Sequence, residues 1–94
     1  MIRSYRDKQT ERFANGGRVR SWESFRRQAE RRLRILENAT CLSDLGALNS
    51  NHLERLSGDR AGQFSIRINM QWRICFDWSD ARPGAENVEI TDYH

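Results

Sequence analysis

Lysine is almost absent from this chain of 94 residues, since only Lys8 among its 16 basic residues is a lysine. The guanidinium group of arginine binds phosphate through a planar fork and stacks on bases, which suits an RNA partner better than a generic charged surface would. Codon usage in a genome rich in G and C would give the same ratio, so the ratio alone leaves both explanations open. The net charge of +3 is compatible with a polyanionic partner.

Long apolar runs are missing too, and no window approaches the roughly 18 apolar residues of a membrane span. The opening MIRSYRDKQTERF carries charges throughout, unlike a secretory signal peptide, so we expect a protein of the bacterial or organellar cytoplasm, away from membranes. The two cysteines, Cys41 and Cys75, match no C-x-x-C or histidine-paired spacing. Reduced thiols are therefore expected rather than a disulfide, and the sequence predicts neither a metal site nor a cofactor.

The remaining composition indicates one small folded domain. Apolar residues make up 37% of the chain and charged residues 31%, which is polar for a globular protein but richer in large apolar side chains than a disordered chain. A chain of this size buries only about 60–65% of its unfolded surface, so it needs one compact core. We expect residues 1–94 to form a single domain.

Two helices are predicted in the first half of the chain. Asp7 is a good N-cap for a helix that runs to about Asn15, where the Asn-Gly-Gly that follows supplies the left-handed conformation common just past a helix end. A longer helix begins after Ser21 as its N-cap and ends near Ala39. Its apolar residues recur every three or four positions and predict the buried face: Trp22, Phe25, Ala29, Leu33 and Leu36.

The outer face of the longer helix is rich in arginine. These arginines form either a solvated face paired with glutamates at helical spacing, or a flank that follows RNA. Beyond this helix the sequence predicts a helical turn over residues 43–48, an extended edge over residues 52–56 and a loop over residues 57–62.

The last third of the chain is predicted to form strands. Apolar residues alternate with polar ones over residues 64–68 and again over residues 72–78. Residues 80–85 are typical of a turn, and a final strand begins at about Val88. Together with a weakly alternating first strand over residues 1–5, these elements predict an α+β fold, in which two or three helices cover one face of an antiparallel sheet of about four strands.

The face of this sheet away from the helices is predicted to carry opposed arginines. If residues 69–71 form the hairpin tip, Arg67 lies directly opposite Arg73. Like charges directly across an antiparallel pair destabilise a sheet unless an anion or a carboxylate lies between them. Either Glu89 or Asp77 neutralises the arginines in an ordinary sheet face, or the pair forms a phosphate site.

The last three residues, Asp92, Tyr93 and His94, supply chemistry for such a phosphate site. Cleavage of RNA through its own 2′-hydroxyl needs a base for that proton, an acid for the departing 5′-oxygen and fixed positive charge near the phosphorane. His94 suits the acid or the base role because an unperturbed imidazole has a pKa of about 6.5. The negative charge of Asp92 favours the imidazolium form. Tyr93 could stack on a base, donate a hydrogen bond to a phosphate oxygen, or merely close the sheet edge.

The stretch LSGDRAGQFSIRINMQWRICFDW, residues 56–78, followed by the final DYH, resembles the HigB toxins of the RelE/ParE superfamily. The opening MIRSY is similar to their start, so the resemblance spans nearly the whole chain. It implies a RelE-like fold and a toxin of a type II toxin–antitoxin system that acts as a ribosome-dependent endoribonuclease on mRNA. It also implies a HigA-like antitoxin with a helix-turn-helix, and repression of operator DNA by the toxin–antitoxin pair.

Carried onto this chain position by position, the resemblance implies a set of site residues. The catalytic residues would be Asp92, Tyr93, His94 and Arg73. Arg67 and Arg60 fall at basic positions that are expected to face RNA phosphates.

One departure from the family pattern concerns an acid/base group. Many members have a histidine four residues before the loop glycine, as in LHxLKGD, whereas this chain has Glu54 there and Ser57 in place of the lysine. The internal histidine, His52, lies two residues earlier. Either His52 or Glu54 substitutes at the RNA, or the remaining site is slower and the toxin milder.

Two other functions stay open on the sequence. A ParE-like poison would bind DNA gyrase through its C-terminal segment and would need no acid/base pair. A weakly active toxin could serve mainly in operator repression with its antitoxin. The combination of Asp92-Tyr93-His94 with Arg73 favours the nuclease, because a pure binding module would not require it.

Overall fold

The structure, a computed structural model, describes residues 1–92. Within them, three α-helices pack on one face of a four-stranded sheet: α1 (Lys8–Ala14), α2 (Arg26–Asn38) and α3 (Leu42–Gly46). The strands are β1 (Glu54–Arg55), β2 (Gln63–Arg67), β3 (Trp72–Ser79) and β4 (Arg82–Asp92), in the order β1-β2-β3-β4 and each antiparallel to the next. Short 3₁₀ turns lie at Arg20–Phe25, Asn49–Asn51 and Gly58–Arg60. The predicted α+β fold is confirmed.

Helix α1 begins and ends as its sequence predicts. Asp7 is the N-cap, and its carboxylate accepts a hydrogen bond from the backbone N–H of Thr10 at 2.6 Å. Asn15 is the C-cap, and Gly16 follows it with φ of +94°, a conformation that glycine adopts at little cost. The helix therefore owes both of its ends to local side-chain and backbone chemistry.

The longer predicted helix is divided in two. The chain first forms the 3₁₀ turn, and α2 begins only at Arg26, so Ser21 is not its N-cap. Glu23 accepts a hydrogen bond from the backbone N–H of Val19 at 3.3 Å and binds the guanidinium of Arg26 at 2.8 Å, which stabilises the tighter turn. The apolar residues predicted for the inner face are all buried in the core: Trp22, Phe25, Ala29, Leu33 and Leu36.

Residues 1–5 do not form the predicted first strand. They run parallel to the outer edge of β4 and make isolated bridges to it at Ile2 and Tyr5. Between the bridged positions of β4 lies Asn87, whose φ is +53° and whose backbone N–H donates to the hydroxyl of Ser4 at 2.9 Å. The regular backbone ladder is interrupted there, so the segment covers the strand edge without becoming a strand.

The β2–β3 hairpin has the predicted register. Ile66 lies opposite Ile74 on the core side, and Arg67 lies opposite Arg73 on the other side. The two isoleucines are fully buried, and a slip of one residue would expose them to water. The apolar pairs therefore fix where the arginines meet.

Strand β4 begins earlier than predicted, at Arg82 instead of about Val88. A register shift between Trp78 and Ser79 in the β3–β4 pairing allows the strand to continue through Pro83 and Gly84. Gly84 has φ of +138°, and a Cβ atom there would lie 2.8 Å from the backbone oxygen of Met1. Pro83 and Gly84, which predict a turn in the sequence, therefore lie in an irregular part of β4, because a β-bulge accommodates them.

Candidate active site

A row of side chains crosses the sheet on the face away from the helices. Glu54 pairs with Ser65, Ser65 with Cys75, and Cys75 with Glu89. Neighbouring strands lie about 4.8 Å apart, so this row spans roughly 14 Å. The next row towards the β2–β3 hairpin tip contains Arg67, Arg73 and Thr91. We call the surface formed by these two rows the open face.

Arg73 is the buried cation of the open face, with 6% of its surface exposed. Its Nε donates to Ser65 Oγ at 2.7 Å, and its Nη2 donates to the backbone oxygens of His52 at 2.7 Å and Ser65 at 3.3 Å. The Oε2 atom of Glu54 lies 3.8 Å from Nη2. These contacts hold a planar five-donor group in one orientation and offset the cost of removing its charge from water.

Glu89 and Asp77, the carboxylates that the sequence predicts to neutralise Arg67 and Arg73, have other partners on the sheet. Glu89 Oε1 lies 3.0 Å from Arg60 Nη1, and Asp77 accepts a hydrogen bond from Asn87 Nδ2 at 2.8 Å. Glu54 is a carboxylate that lies within 4 Å of Arg73. The structure thus brings Glu54 and Arg73 together, although the sequence suggested Glu89 or Asp77 as the neutralising group.

A second basic group lies at the β4 side of the open face. Arg60 ends the 3₁₀ turn Gly58–Arg60, and its Nη1 donates to Gln63 Oε1 at 3.1 Å while bridging to Glu89. Arg6 Nε lies 3.8 Å from the other oxygen of Glu89. The sequence alone does not predict Arg6 at this site, because the N-terminal segment that carries Arg6 reaches β4 only in the folded protein.

The two alternatives for the acid/base group, His52 and Glu54, differ in where their side chains lie relative to Arg73. The side chain of His52 is exposed, and its residue has φ of +46°; its backbone carbonyl contacts Arg73. The side chain of Glu54 is half-exposed, with 51% of its surface accessible, and its carboxylate lies beside the Arg73 guanidinium. Glu54 therefore presents its functional group at the site.

Of the last three residues of the chain, the structure describes Asp92. Asp92 pairs with Trp72 across the sheet, and its Oδ2 accepts a hydrogen bond from Gln71 Nε2 at 2.8 Å. Tyr93 and His94, which the sequence assigns to catalysis, lie outside the described residues. Their roles stay predictions.

Cys75 lies in the centre of the open face and is 1% exposed. Burial raises the pKa of its thiol, and the negative charge of Glu89 acts in the same direction, while Arg60 and Arg73 oppose it. The thiol therefore stays neutral near pH 7 and is a poor nucleophile. The sequence does not single out Ser65 and Cys75 as site residues. Every second side chain of a strand lies on the same face of the sheet, however, and this alternation places both of them on the face of Arg73.

Other candidate sites lie elsewhere or are not found. A cavity of about 350 Å³ opens between the N-terminal segment and α2, and its lining residues, which include Tyr5, Leu33 and Glu37, do not include Arg73. Among residues 1–92, no group of three or more His, Cys, Asp or Glu side chains could hold a metal ion. No helix in the same part of the chain is long and apolar enough to cross a membrane.

A family model described as the RelE-like toxin of the type II toxin–antitoxin system HigB matches residues 3–94. The chain belongs to this family. Toxin HigB-1 from Vibrio cholerae serotype O1 is 44% identical to it over 50 residues, which cover 53% of this chain and 53% of that protein. The chain thus spans about half the length of this curated relative.

A solved structure supports the fold of the HigB-family chain. The YoeB–YefM complex from Staphylococcus aureus matches it with a TM-score of 0.56, covering 100% of this chain and 98% of the matched chain. The sequence identity is 15%, so this likeness shows the fold alone. The resemblance to HigB toxins and the RelE-like architecture are both confirmed.

Proposed function

We propose that this HigB-family protein is a ribosome-dependent endoribonuclease that cleaves mRNA during translation, with residues 1–94 acting as one toxin domain. The observation that carries the proposal is the pairing of Glu54 with Arg73 on the open face, 3.8 Å apart. A carboxylate beside a fixed guanidinium places a proton acceptor next to a phosphate-binding group. Those are two of the three elements that RNA cleavage through the 2′-hydroxyl needs.

The proposed reaction uses no metal and no cofactor. Glu54 accepts the proton of the 2′-hydroxyl, and the resulting oxygen attacks the neighbouring phosphorus. Arg73 stabilises the negative charge that gathers on the phosphorane. The bond from phosphorus to the 5′-oxygen then breaks, and His94 donates the proton that this oxygen takes. The products are a 2′,3′-cyclic phosphate and a 5′-hydroxyl.

The remaining site residues would hold the RNA. Arg67 lies directly opposite Arg73, and Arg60 lies near Glu89 at the other side of the face, so the two suit phosphates on either side of the cut. Tyr93 would stack on a base or donate to a phosphate oxygen, and Asp92 would favour the protonated form of His94. His52 would contribute its backbone carbonyl to Arg73 rather than its imidazole to the RNA.

The shape of the site supports the proposed dependence on the ribosome. The Glu54–Arg73 pair lies on the surface of a sheet, where a flexible RNA would lose much orientational freedom on binding. An mRNA held in the decoding region has already lost that freedom. The ribosome would therefore orient the scissile phosphate, and the toxin would supply the acid, the base and the charge.

We also propose that a HigA-like antitoxin with a helix-turn-helix neutralises the toxin in the bacterial cytoplasm and that the pair represses its own operator DNA. Membership of a type II toxin–antitoxin family supports an antitoxin partner. The solved fold relative was determined as a complex of YoeB with YefM, in keeping with such an arrangement.

One experiment tests the nuclease directly. The purified toxin is added to translating ribosomes that carry a defined mRNA, to the same RNA without ribosomes, and to DNA gyrase in a supercoiling assay. We expect cleavage of the ribosome-bound mRNA, with little cleavage of the naked RNA and no effect on supercoiling. Inhibition of gyrase with intact mRNA would overturn the proposal in favour of a gyrase poison.

A further inference from the structure

Arg32 differs from the other arginines of α2. Arg27, Arg31 and Arg34 are exposed residues, whereas Arg26 and Arg32 are half-buried, and Arg26 pairs with the carboxylates of Glu23 and Glu30. Burial lowers the pKa of Arg32, and the positive charge of Arg31 lowers it further. Its hydrogen bonds within residues 1–92 go to neutral oxygens. A partly buried charge of this kind is costly unless its donors are satisfied, so the position of these oxygens matters.

The guanidinium of Arg32 joins three segments of the chain. Its Nε donates to the backbone oxygen of Arg67 at 3.0 Å, at the end of β2. Its Nη1 donates to Asn51 Oδ1 at 3.2 Å, and its Nη2 donates to the backbone oxygen of Ser50 at 3.2 Å. Helix α2 is thereby connected both to the strand that carries Arg67 and to the 3₁₀ turn Asn49–Asn51.

Asn51 fixes the turn from the other side. The residue is fully buried, and its Nδ2 donates to the backbone oxygen of Leu45 at 3.0 Å. With the nitrogen committed to Leu45, the amide oxygen points towards Arg32. The turn Asn49–Asn51 is therefore held between α3 and α2 through one side chain.

This turn leads directly into the site. The next residue, His52, has φ of +46°, a left-handed backbone conformation that is strained for a residue other than glycine. Its carbonyl accepts the 2.7 Å hydrogen bond from Arg73, and Glu54 follows two residues later. Any shift of the turn would move both the carbonyl and the carboxylate that contact Arg73.

We propose that Arg32 is a positioning residue for RNA cleavage: its three hydrogen bonds hold the turn Asn49–Asn51 against the end of β2 and keep Glu54 and the carbonyl of His52 on the guanidinium of Arg73. Arg32 acts through these residues and does not itself touch the reacting atoms. The inference rests on the proposed function, because it assigns Arg32 to the same site.

The first test compares Arg32→Gln with the matched control Arg31→Gln. Both variants remove one positive charge from the same helix, but only Arg32 forms the three bonds. Single-turnover cleavage is measured on ribosomes programmed with mRNA, over a range of toxin concentrations and well below each variant's melting temperature. We expect the cleavage rate at saturating toxin to fall at least roughly tenfold for Arg32→Gln relative to the control. A displacement of a catalytic group by about 1 Å can lower a reaction rate by on the order of a hundredfold. The half-saturating concentrations should agree within about threefold, and Arg32→Lys should recover only part of the rate.

A double-mutant cycle separates positioning from a general loss of structure. If Arg32 acts through Glu54, Arg32→Gln should lower the rate much less in a Glu54→Gln background than in the native chain. A loss of the same factor in both backgrounds, or a rate for Arg32→Gln equal to that of Arg31→Gln, would overturn the inference and leave the nuclease proposal intact.

A second readout does not depend on activity. The side-chain Nε–H of Arg73, which donates to Ser65 Oγ, gives an NMR signal whose chemical shift reports the hydrogen bonding and surroundings of the guanidinium. We expect Arg32→Gln to shift or broaden this signal and Arg31→Gln to leave it unchanged. A native chain that cuts no mRNA, together with this pattern of signals, would overturn the proposed function while supporting the positioning of Arg73 by Arg32. An unchanged signal in both variants would overturn the positioning itself.

Discussion

The Nη2 atom of Arg73 donates a 2.7 Å hydrogen bond to the backbone carbonyl of His52, a residue that lies 21 positions earlier in the chain. This bond joins strand β3 to the loop that leads into β1 and brings Glu54 next to the guanidinium. The arginine is thus part of the packing of the sheet as well as a group that can bind phosphate. Its replacement should therefore have two effects that can be measured separately, one on the stability of the fold and one on the proposed activity.

Arg73→Lys tests the structural contribution of the guanidinium fork. An ammonium group keeps the charge but cannot reproduce the bonds to Ser65 Oγ and His52 O in the same geometry. We expect the free energy of unfolding, measured by urea denaturation, to fall by about 1–3 kcal/mol. Arg67→Lys is the matched control on the opposite strand and should change it by less than about 0.5 kcal/mol. Equal losses in the two variants would contradict a special role for the buried fork.

Glu54→Gln tests the proposed base. The amide keeps the size of the side chain but cannot accept the 2′-hydroxyl proton, so the single-turnover rate on ribosomes should fall at least tenfold, or about 1.4 kcal/mol of barrier. His52→Gln removes the other candidate, whose exposed imidazole is expected to be dispensable, and should stay within about twofold of the native rate. The reverse order of effects would assign the base to His52.

The sequence predicts those parts of the site that depend on the register of a hairpin. Arg67 and Arg73 were predicted to face each other because the buried pair Ile66–Ile74 leaves one register that keeps apolar side chains in the core. The α+β class follows in the same way from the spacing of apolar residues, which recur every three or four positions in the helices and every second position in the strands. These are local patterns that the fold does not override.

The sequence could not predict contacts that depend on the path of a loop. Glu54 reaches Arg73 only because the turn before it is held in place and His52 adopts a left-handed conformation. Arg32 binds two backbone carbonyls and an amide oxygen, which leave no charge pattern in the sequence. The first strand was wrongly predicted because Asn87, more than 80 residues later, interrupts the pairing.

Asp44→Asn tests the cap of α3 through its pH dependence. The backbone N–H and the hydroxyl of Thr40 donate to Asp44, and these bonds, with those from Cys41, lower the pKa of the carboxyl group. A lowered folded-state pKa adds stability above the unfolded value of about 3.9 and loses it as the pH falls through the folded value. Asp44→Asn should therefore lower the melting temperature at pH 7, and the difference from the native chain should shrink below about pH 4.

Asp80→Asn is the control for that experiment, since the Asp80 carboxylate lies in the exposed turn between β3 and β4 and accepts no hydrogen bond within the described residues. Its melting temperature at pH 7 should match that of the native chain. A gap between Asp44→Asn and the native chain that stays constant down to pH 2 would show that the carboxylate charge does not stabilise the cap.

The two thiols should react at very different rates. Cys75 is buried and its pKa is raised, whereas Cys41 is partly exposed near the surface. A thiolate-specific reagent at pH 7 should therefore label Cys41 rapidly in the native protein and Cys75 only when the chain unfolds. Mass spectrometry of the labelled peptides, with Cys41→Ser as the control, identifies the fast thiol. Rapid labelling of Cys75 would show that the open face is accessible to reagents down to the sheet backbone.

His94→Gln tests the proposed acid, and the leaving group makes the test specific. The variant should cut ribosome-bound mRNA at least tenfold more slowly, because the departing 5′-oxygen then has no imidazolium to protonate it. An mRNA with a bridging 5′-sulfur at the cleavage site needs no acid, since a thiolate leaves without a proton. This substrate should restore the rate of His94→Gln to near the native value, whereas Glu54→Gln, which lacks the base, should stay slow on both substrates. Equal rescue of the two variants would mean that His94 does not protonate the leaving group.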